Sequence, residues 1–285
     1  MLIIKRINSM NKKLNYPVLL ILSSILIVFN SSCSWFGNDD NSGENDSVVE
    51  IINQDINNQD TDEQSFQAGE YEMPKELVYN ENADDFLTYK LYPIGWSKDG
   101  KFAYVVEPAD EGSGFYLFEI HVFDMVNNKD SWVWKLDETE EGDLETVWKE
   151  NYEKFKESLN KYEITQQDNF ELAKGKTKYK GNEYQIILDT KTKIEPDFGF
   201  DVISEFKVSI NSEDLGVKEI YKHKEDNFSM LVGTYVPGYI LSPNSGRIVV
   251  ICQMERWGAE GPPNIVYFEL VGSDLLLGFS AVSGS

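Results

Sequence analysis

From Phe115 to Asp124 apolar and polar side chains alternate, with Tyr116, Phe118, Ile120 and Val122 on one face. A period of two is the signature of a half-buried strand. Asn127-Asn128 supplies a turn before a second such stretch, Ser131 to Leu136. Segments 184–190, 202–210, 217–223, 228–236, 247–254 and 265–271 read the same way: most are rich in β-branched or aromatic residues and bounded by Gly, Pro, Asn or Asp. The body of the chain is therefore expected to be mainly antiparallel β.

One stretch departs from the period of two. Leu144, Val147, Trp148, Phe155, Leu159 and Tyr162 recur at three-to-four-residue spacing, which predicts one amphipathic helix near 143–162. Its charges agree: Glu140, Glu141, Asp143 and Glu145 crowd the start and Lys154, Lys156 and Lys161 the end, as the helix dipole favours.

Ahead of residue 75 the pattern changes twice. Lys5, Arg6, Lys12 and Lys13 precede the apolar run Pro17 to Phe29, interrupted only by Ser23-Ser24, and Asn30-Ser31-Ser32-Cys33 follows. A basic region, a short apolar core and small residues before a cysteine describe an export signal. The run is shorter than the roughly 20 apolar residues a spanning helix requires. This start resembles a bacterial lipoprotein signal, with Asn30 where that signal usually carries Leu. The resemblance implies cleavage before Cys33, acyl chains such as palmitate carried on Cys33, and a membrane link through that lipid. Ser34, in place of the Asp that retains some lipoproteins at the inner membrane, tilts the expectation to the outer membrane of a bacterial cell envelope. Cleavage by the ordinary signal peptidase would instead leave Cys33 a free thiol.

Ser34 to Pro74 holds 11 acidic residues and no Lys or Arg. Such a segment buries too little apolar surface to offset the entropy of ordering it, so it is expected to be a tether with an r.m.s. span of roughly 35 Å. The expected organisation is a lipoprotein signal peptide over 1–32, an acidic disordered tether over 33–74 and a β-rich globular domain over 75–285. Without the signal the chain keeps 22 basic against 49 acidic residues, a formal charge of −27. Like-charge repulsion excludes nucleic acid as a partner and disfavours direct docking on anionic lipid.

Motifs for chemistry are sparse. His121 and His223 lack any second ligand at metal-type spacing, and no nucleophile elbow, phosphate loop or dinucleotide fingerprint occurs. Cys252, within Val249-Val250-Ile251-Cys252, reads as a small buried apolar residue. Glu107, Asp110 and Glu111 flank the Gly112-Ser113-Gly114 turn, but no 12-residue calcium pattern is satisfied. No cofactor, metal or catalytic residue is expected, and the chain is not expected to be an enzyme. The candidate binding loop is Trp257-Gly258-Ala259-Glu260-Gly261-Pro262, an aromatic in a Gly/Pro-rich connection between strands, with Phe115 as its neighbour; Trp257, Glu260 and Phe115 are the residues named for it.

Two segments repeat one unit. Ile94 to Val105 parallels Tyr239 to Val250: a strand end, a Ser that can bond the turn backbone, an Asp or Asn, a Gly, then a basic residue opening an apolar strand. This Ser-x-Asp-Gly-Lys turn is similar to the repeat of TolB-type and WD40-like β-propellers. With Glu111 to Phe115, Phe123-Asp124 and Gly258 to Pro262, the longer combination resembles an uncharacterised family of predicted secreted bacterial proteins. The resemblance implies fold and export, and no chemistry. Propeller blades recur every 40 to 50 residues, whereas these copies lie 145 apart. The expected fold is therefore antiparallel sheets in an incomplete propeller-like or sandwich arrangement. The expected role is a membrane-anchored, non-catalytic envelope module that binds a protein partner or takes part in assembly, or alternatively captures a sugar or peptide.

Overall fold

Phe102, Ala103, Tyr104, Val105 and Val106 are consecutive and all buried. A strand can bury both faces only when it is covered on both sides, so this run belongs to an inner layer. The computed structural model describes residues 66, 68–137, 142–196, 199–225, 230–258 and 261–280. In chain order these form β1 (Leu87–Thr88), β2 (Lys90–Trp96), β3 (Lys101–Glu107), β4 (Glu119–Asp124), β5 (Lys129–Lys135), α1 (Leu144–Glu150), α2 (Tyr152–Lys161), β6 (Thr165–Gln166), β7 (Lys176–Tyr179), β8 (Asn182–Glu195), β9 (Phe200–Ser212), β10 (Gly216–Lys224), β11 (Leu231–Leu241), β12 (Arg247–Arg256) and β13 (Ile265–Asp274).

The strands make three open sheets: a first with order β5-β4-β3-β2-β6, a second with order β1-β13-β12-β11 and a third with order β10-β9-β8-β7. Pairing is antiparallel except between β1 and β13. One face of the first sheet, through Ile94, Val105, Ile120 and Val122, packs under Val147, Trp148, Phe155 and Leu159 of the helices. Its other face, through Leu91, Phe102 and Val106, meets Ile240, Val249 and Ile251 of the second sheet. The far face of that second sheet, through Ile248, Val250 and Cys252, meets Phe206, Val208 and Ile210 of the third. The layers thus run helices, first sheet, second sheet, third sheet. β12 is buried at every position from Ile248 to Met254 because it lies in a middle layer. The third sheet has one solvent face, so β9 alternates clearly. That face carries the pairs Lys191–Glu205 at 2.8 Å and Lys207–Glu219 at 3.1 Å, which water screens, so they add little to stability.

The expected helix is present as two helices that meet at Asn151. Asp143 caps the first by accepting from the Thr146 amide at 2.7 Å. The Asn151 side chain donates to the Val147 carbonyl at 3.0 Å, occupying a carbonyl at the joint. The alternation from Phe115 becomes a ladder only at Glu119. Upstream, Asp110 accepts from the amides of Gly112, Ser113 and Gly114 and curls that segment into a loop.

Packing begins earlier than composition suggests. The Tyr71 ring is buried, and its hydroxyl donates to the Ile164 carbonyl at 2.7 Å. The Gly69 amide donates to Asn160 at 3.0 Å and the Glu72 amide to Gln166 at 2.8 Å. Residues 69–74, assigned to the tether by their acidity, are thus part of the packed body, because one tyrosine and two side-chain amides anchor them. The signal region and most of the acidic segment lie outside the described residues.

The repeated turns are the points where sheets stack. Ser97 closes the first by accepting the Lys101 amide on its hydroxyl at 2.8 Å, and the Ser242 amide closes the second by donating to the Arg247 carbonyl at 2.8 Å. A side chain on Gly100, whose φ is +90°, would meet Arg247 Cδ at 2.5 Å, and one on Gly246 would meet Tyr179 Cε1 at 2.4 Å. Each glycine therefore makes room for a side chain from the next layer.

Candidate functional site

β1 is two residues long, and this leaves a vacancy beside β13. Leu87 and Thr88 pair with Ile265 and Val266, and the Tyr89 amide donates to the Val266 carbonyl at 2.8 Å. The chain then leaves for β2. Further along, the Asn128 side chain takes over, accepting from the Gly272 amide at 2.7 Å. Between these covers a cleft of about 370 Å³ opens. Tyr104, His121 and Phe123 of the first sheet wall one side, Ile220 and Tyr221 of β10 another, and Phe268 to Val271 of β13 line it, with Tyr89 and Asn128 among the remaining contacts. β10 carries an irregularity at this point: its register with β9 shifts between Glu219 and Tyr221, at Ile220. Such bulges re-aim side chains at sheet edges.

The walls are aromatic and carry acid. His121 stacks flat on Tyr104 with ring centroids 4.9 Å apart and 3° between planes. Its Nε2 lies 3.0 Å from Glu119 and its Nδ1 3.1 Å from Asp130. Burial opposes charge on His121, but the two carboxylates outweigh it and raise its pKa above the ordinary value. His121 and, beyond the opposing effect of burial, Lys135 at 2.6 Å hold Glu119 below the usual carboxylate range. Burial and the adjacent Glu269 carboxylate push the Tyr221 hydroxyl well up, so it stays protonated.

A raised histidine pKa has a definite sign in stability. The folded state binds the proton more tightly than the unfolded one, so the contribution is complete below the ordinary value of about 6.5 and is lost as pH climbs through the raised folded value. His121→Gln is therefore expected to cost more at pH 5.5 than at pH 9, with the two unfolding curves converging on the alkaline side. A tenfold tighter hold on the proton in the folded state corresponds to about 1.4 kcal/mol of that difference. Denaturation of both forms across this range is the check, and a cost that does not vary with pH would contradict the assignment.

The residues singled out by sequence fall elsewhere. Trp257 is half-buried and stacks on Phe200 at 5.3 Å, while its amide donates to the Met230 carbonyl at 2.9 Å. Phe115 is half-buried, its amide donating to Ser113 Oγ at 3.1 Å. The loops carrying them are joined by an Arg256–Glu111 ion pair. Glu260 and Cys33 lie outside the described residues. The three acids of the Gly112 turn are engaged separately: Tyr92 and Tyr116 hydroxyls donate to Glu107, the loop backbone to Asp110, and Arg256 pairs with Glu111. Among the described residues no three His, Cys, Asp or Glu side chains are grouped to hold a metal ion. His223 pairs with Glu225 at 2.9 Å and stacks on Phe206. Cys252 is wholly buried, which pushes its thiol pKa up and keeps it protonated.

Fold and site together define a three-sheet β protein with an open, aromatic-walled strand position beside β13. The chain matches no family model, no curated protein and no solved structure, so its own residues carry the functional reading.

Proposed function

We propose that this chain is a lipid-anchored protein of the bacterial cell envelope whose β body is a non-catalytic binding module, with the cleft beside β13 as its binding site. The single observation that carries the binding reading is the cleft itself: a concavity of about 370 Å³ with aromatic walls and two carboxylates, the size and make-up of sites that hold small ligands or single recognition elements. His121 is held by a carboxylate on each ring nitrogen and stacked on Tyr104. That arrangement leaves neither nitrogen open to act as a general base and favours binding over catalysis. The anchor reading rests on the N-terminal signal pattern, with Cys33 as the lipidated residue. The resemblance of the turns adds the expectation of export.

The test uses the full chain expressed in a bacterial host. The membrane-extracted protein is expected to have an intact mass that begins at Cys33 and includes acyl chains, and Cys33→Ser should move it to the soluble fraction. In the same preparation a panel of oligopeptides and oligosaccharides should include a member that raises the melting temperature saturably, an effect weakened at least about tenfold by Tyr221→Ala, as for loss of a buried aromatic contact. An unmodified soluble wild-type chain would overturn the anchor, and a panel with no effect would overturn the binding module.

A further inference from the structure

The cleft lies along an unfinished sheet edge, and that determines what fits it. In an antiparallel pair alternate residues turn their backbone groups towards the neighbour, and those between turn theirs away. β12 and β13 pair without a shift from Arg256↔Ile265 to Arg247↔Asp274. Val266 accepts from Tyr89 and Gly272 donates to Asn128 on the outer side of β13. The even-numbered residues therefore face outward, and Phe268 and Leu270 face outward into the cleft. Their amides and carbonyls on this side have no partner among the described residues, while Val266 before them and Gly272 after them are covered. Six residue steps separate those covers, about 20 Å of strand.

We propose that this position receives an extended peptide segment of a partner protein, which adds a strand to the second sheet along Phe268 and Leu270 and presents a basic side chain to Glu119 and Glu269. The proposal rests on the reading of the cleft as the binding site and specifies its ligand. Strand addition satisfies the open backbone groups, as in other edge-recognition modes, and the flanking walls select side chains. Tyr104, His121 and Tyr221 wall the groove on either side of the open edge. Charge selects the side chain. Glu269 lies in the groove with no cationic partner among the described residues, and Glu119 has Lys135 and His121 on it but Asp130 beside the same histidine. An arginine or lysine entering this site finds carboxylates and aromatic faces, the surroundings that favour a cation. A neutral sugar would use the aromatic walls and leave the strand edge unpaired.

The test titrates the full chain in detergent with the pentapeptide acetyl-TVRVT-amide, followed by amide chemical shifts and a binding isotherm. Four further probes accompany it: the citrulline analogue, two analogues N-methylated at adjacent residues, and a neutral trisaccharide. The parent peptide should shift the Phe268 and Leu270 amides. Citrulline should weaken it at least tenfold, and Glu269→Gln should weaken the parent to a similar extent while leaving the citrulline peptide unchanged. One N-methyl analogue should lose at least tenfold and its neighbour less than threefold, because only alternate amides face β13. Equal losses for both N-methyl analogues would overturn strand addition, and equal affinity for citrulline would overturn the basic side chain. Binding of the trisaccharide alone would overturn the peptide proposal and leave the binding module standing. If no probe binds, both fall.

Discussion

Phe102→Ala is expected to lower the free energy of unfolding by about 3–5 kcal/mol. Phe102 has no exposed surface and lies in the layer between the first and second sheets. Its ring is 4.7 Å from Trp96, 5.8 Å from Tyr104 and 5.9 Å from Phe170. Those neighbours are poorly placed to close a cavity. Trp96 pairs with Phe102 in the β2–β3 ladder, and Tyr104 is two residues along the same strand. The opposing wall is Val249 and Ile251, held in β12 between two neighbours. A site that cannot collapse incurs the loss of transfer free energy and also that of a cavity, which places it high in the range for large-to-small changes. Urea unfolding of the full chain measures it, with Phe102→Leu as a control expected to cost roughly half as much or less. A loss below about 1 kcal/mol would fit a surface position and would contradict the face-to-face stacking of these sheets.

The layering left a readable trace, and the site did not. Alternation in β9 was legible because its sheet has one face in water. The run Val249 to Cys252 marks Cys252 as buried but not which sheets cover it, since a continuous apolar run carries no address. The helix was legible from spacing and charge, while its break at Asn151 was not, because the apolar period continues across the joint. Tyr71 was masked by its acidic neighbours, as window composition averages away a single anchoring ring. The two turn motifs were visible as turns. That Gly100 and Gly246 serve to admit Arg247 and Tyr179 is a fact of tertiary contact.

The cleft draws on residues near positions 89, 104, 121, 221 and 268–271, which no local pattern links. Glu119 and His121 do alternate onto one face of β4, and the Asn127-Asn128 turn returns Asp130 beside them, so a hairpin reading of that segment would have grouped this triad. Nothing local shows that β1 ends after two residues. The vacancy depends on where the chain departs from one sheet to start another. Trp257 stands out in sequence by its Gly/Pro-rich setting, whereas its ring lies on Phe200.

Amide hydrogen exchange along β13 tests that vacancy most directly. Tyr267, Glu269 and Val271 turn their amides to β12, inside a ladder whose opening requires separating two strands in a middle layer. Such amides exchange only through large-scale opening, whereas an amide without a bonded partner at a solvent-filled edge exchanges with little protection. The odd-numbered amides are therefore expected to be at least about a hundredfold more protected than those of Phe268 and Leu270, while Gly272, held by Asn128, should fall between. The measurement is residue-resolved exchange on the full chain without ligand. Fast exchange confined to Phe268 and Leu270 is the result this account requires; uniform protection from Tyr267 to Gly272 would mean that the edge is already paired, and the binding site proposed beside β13 would not exist.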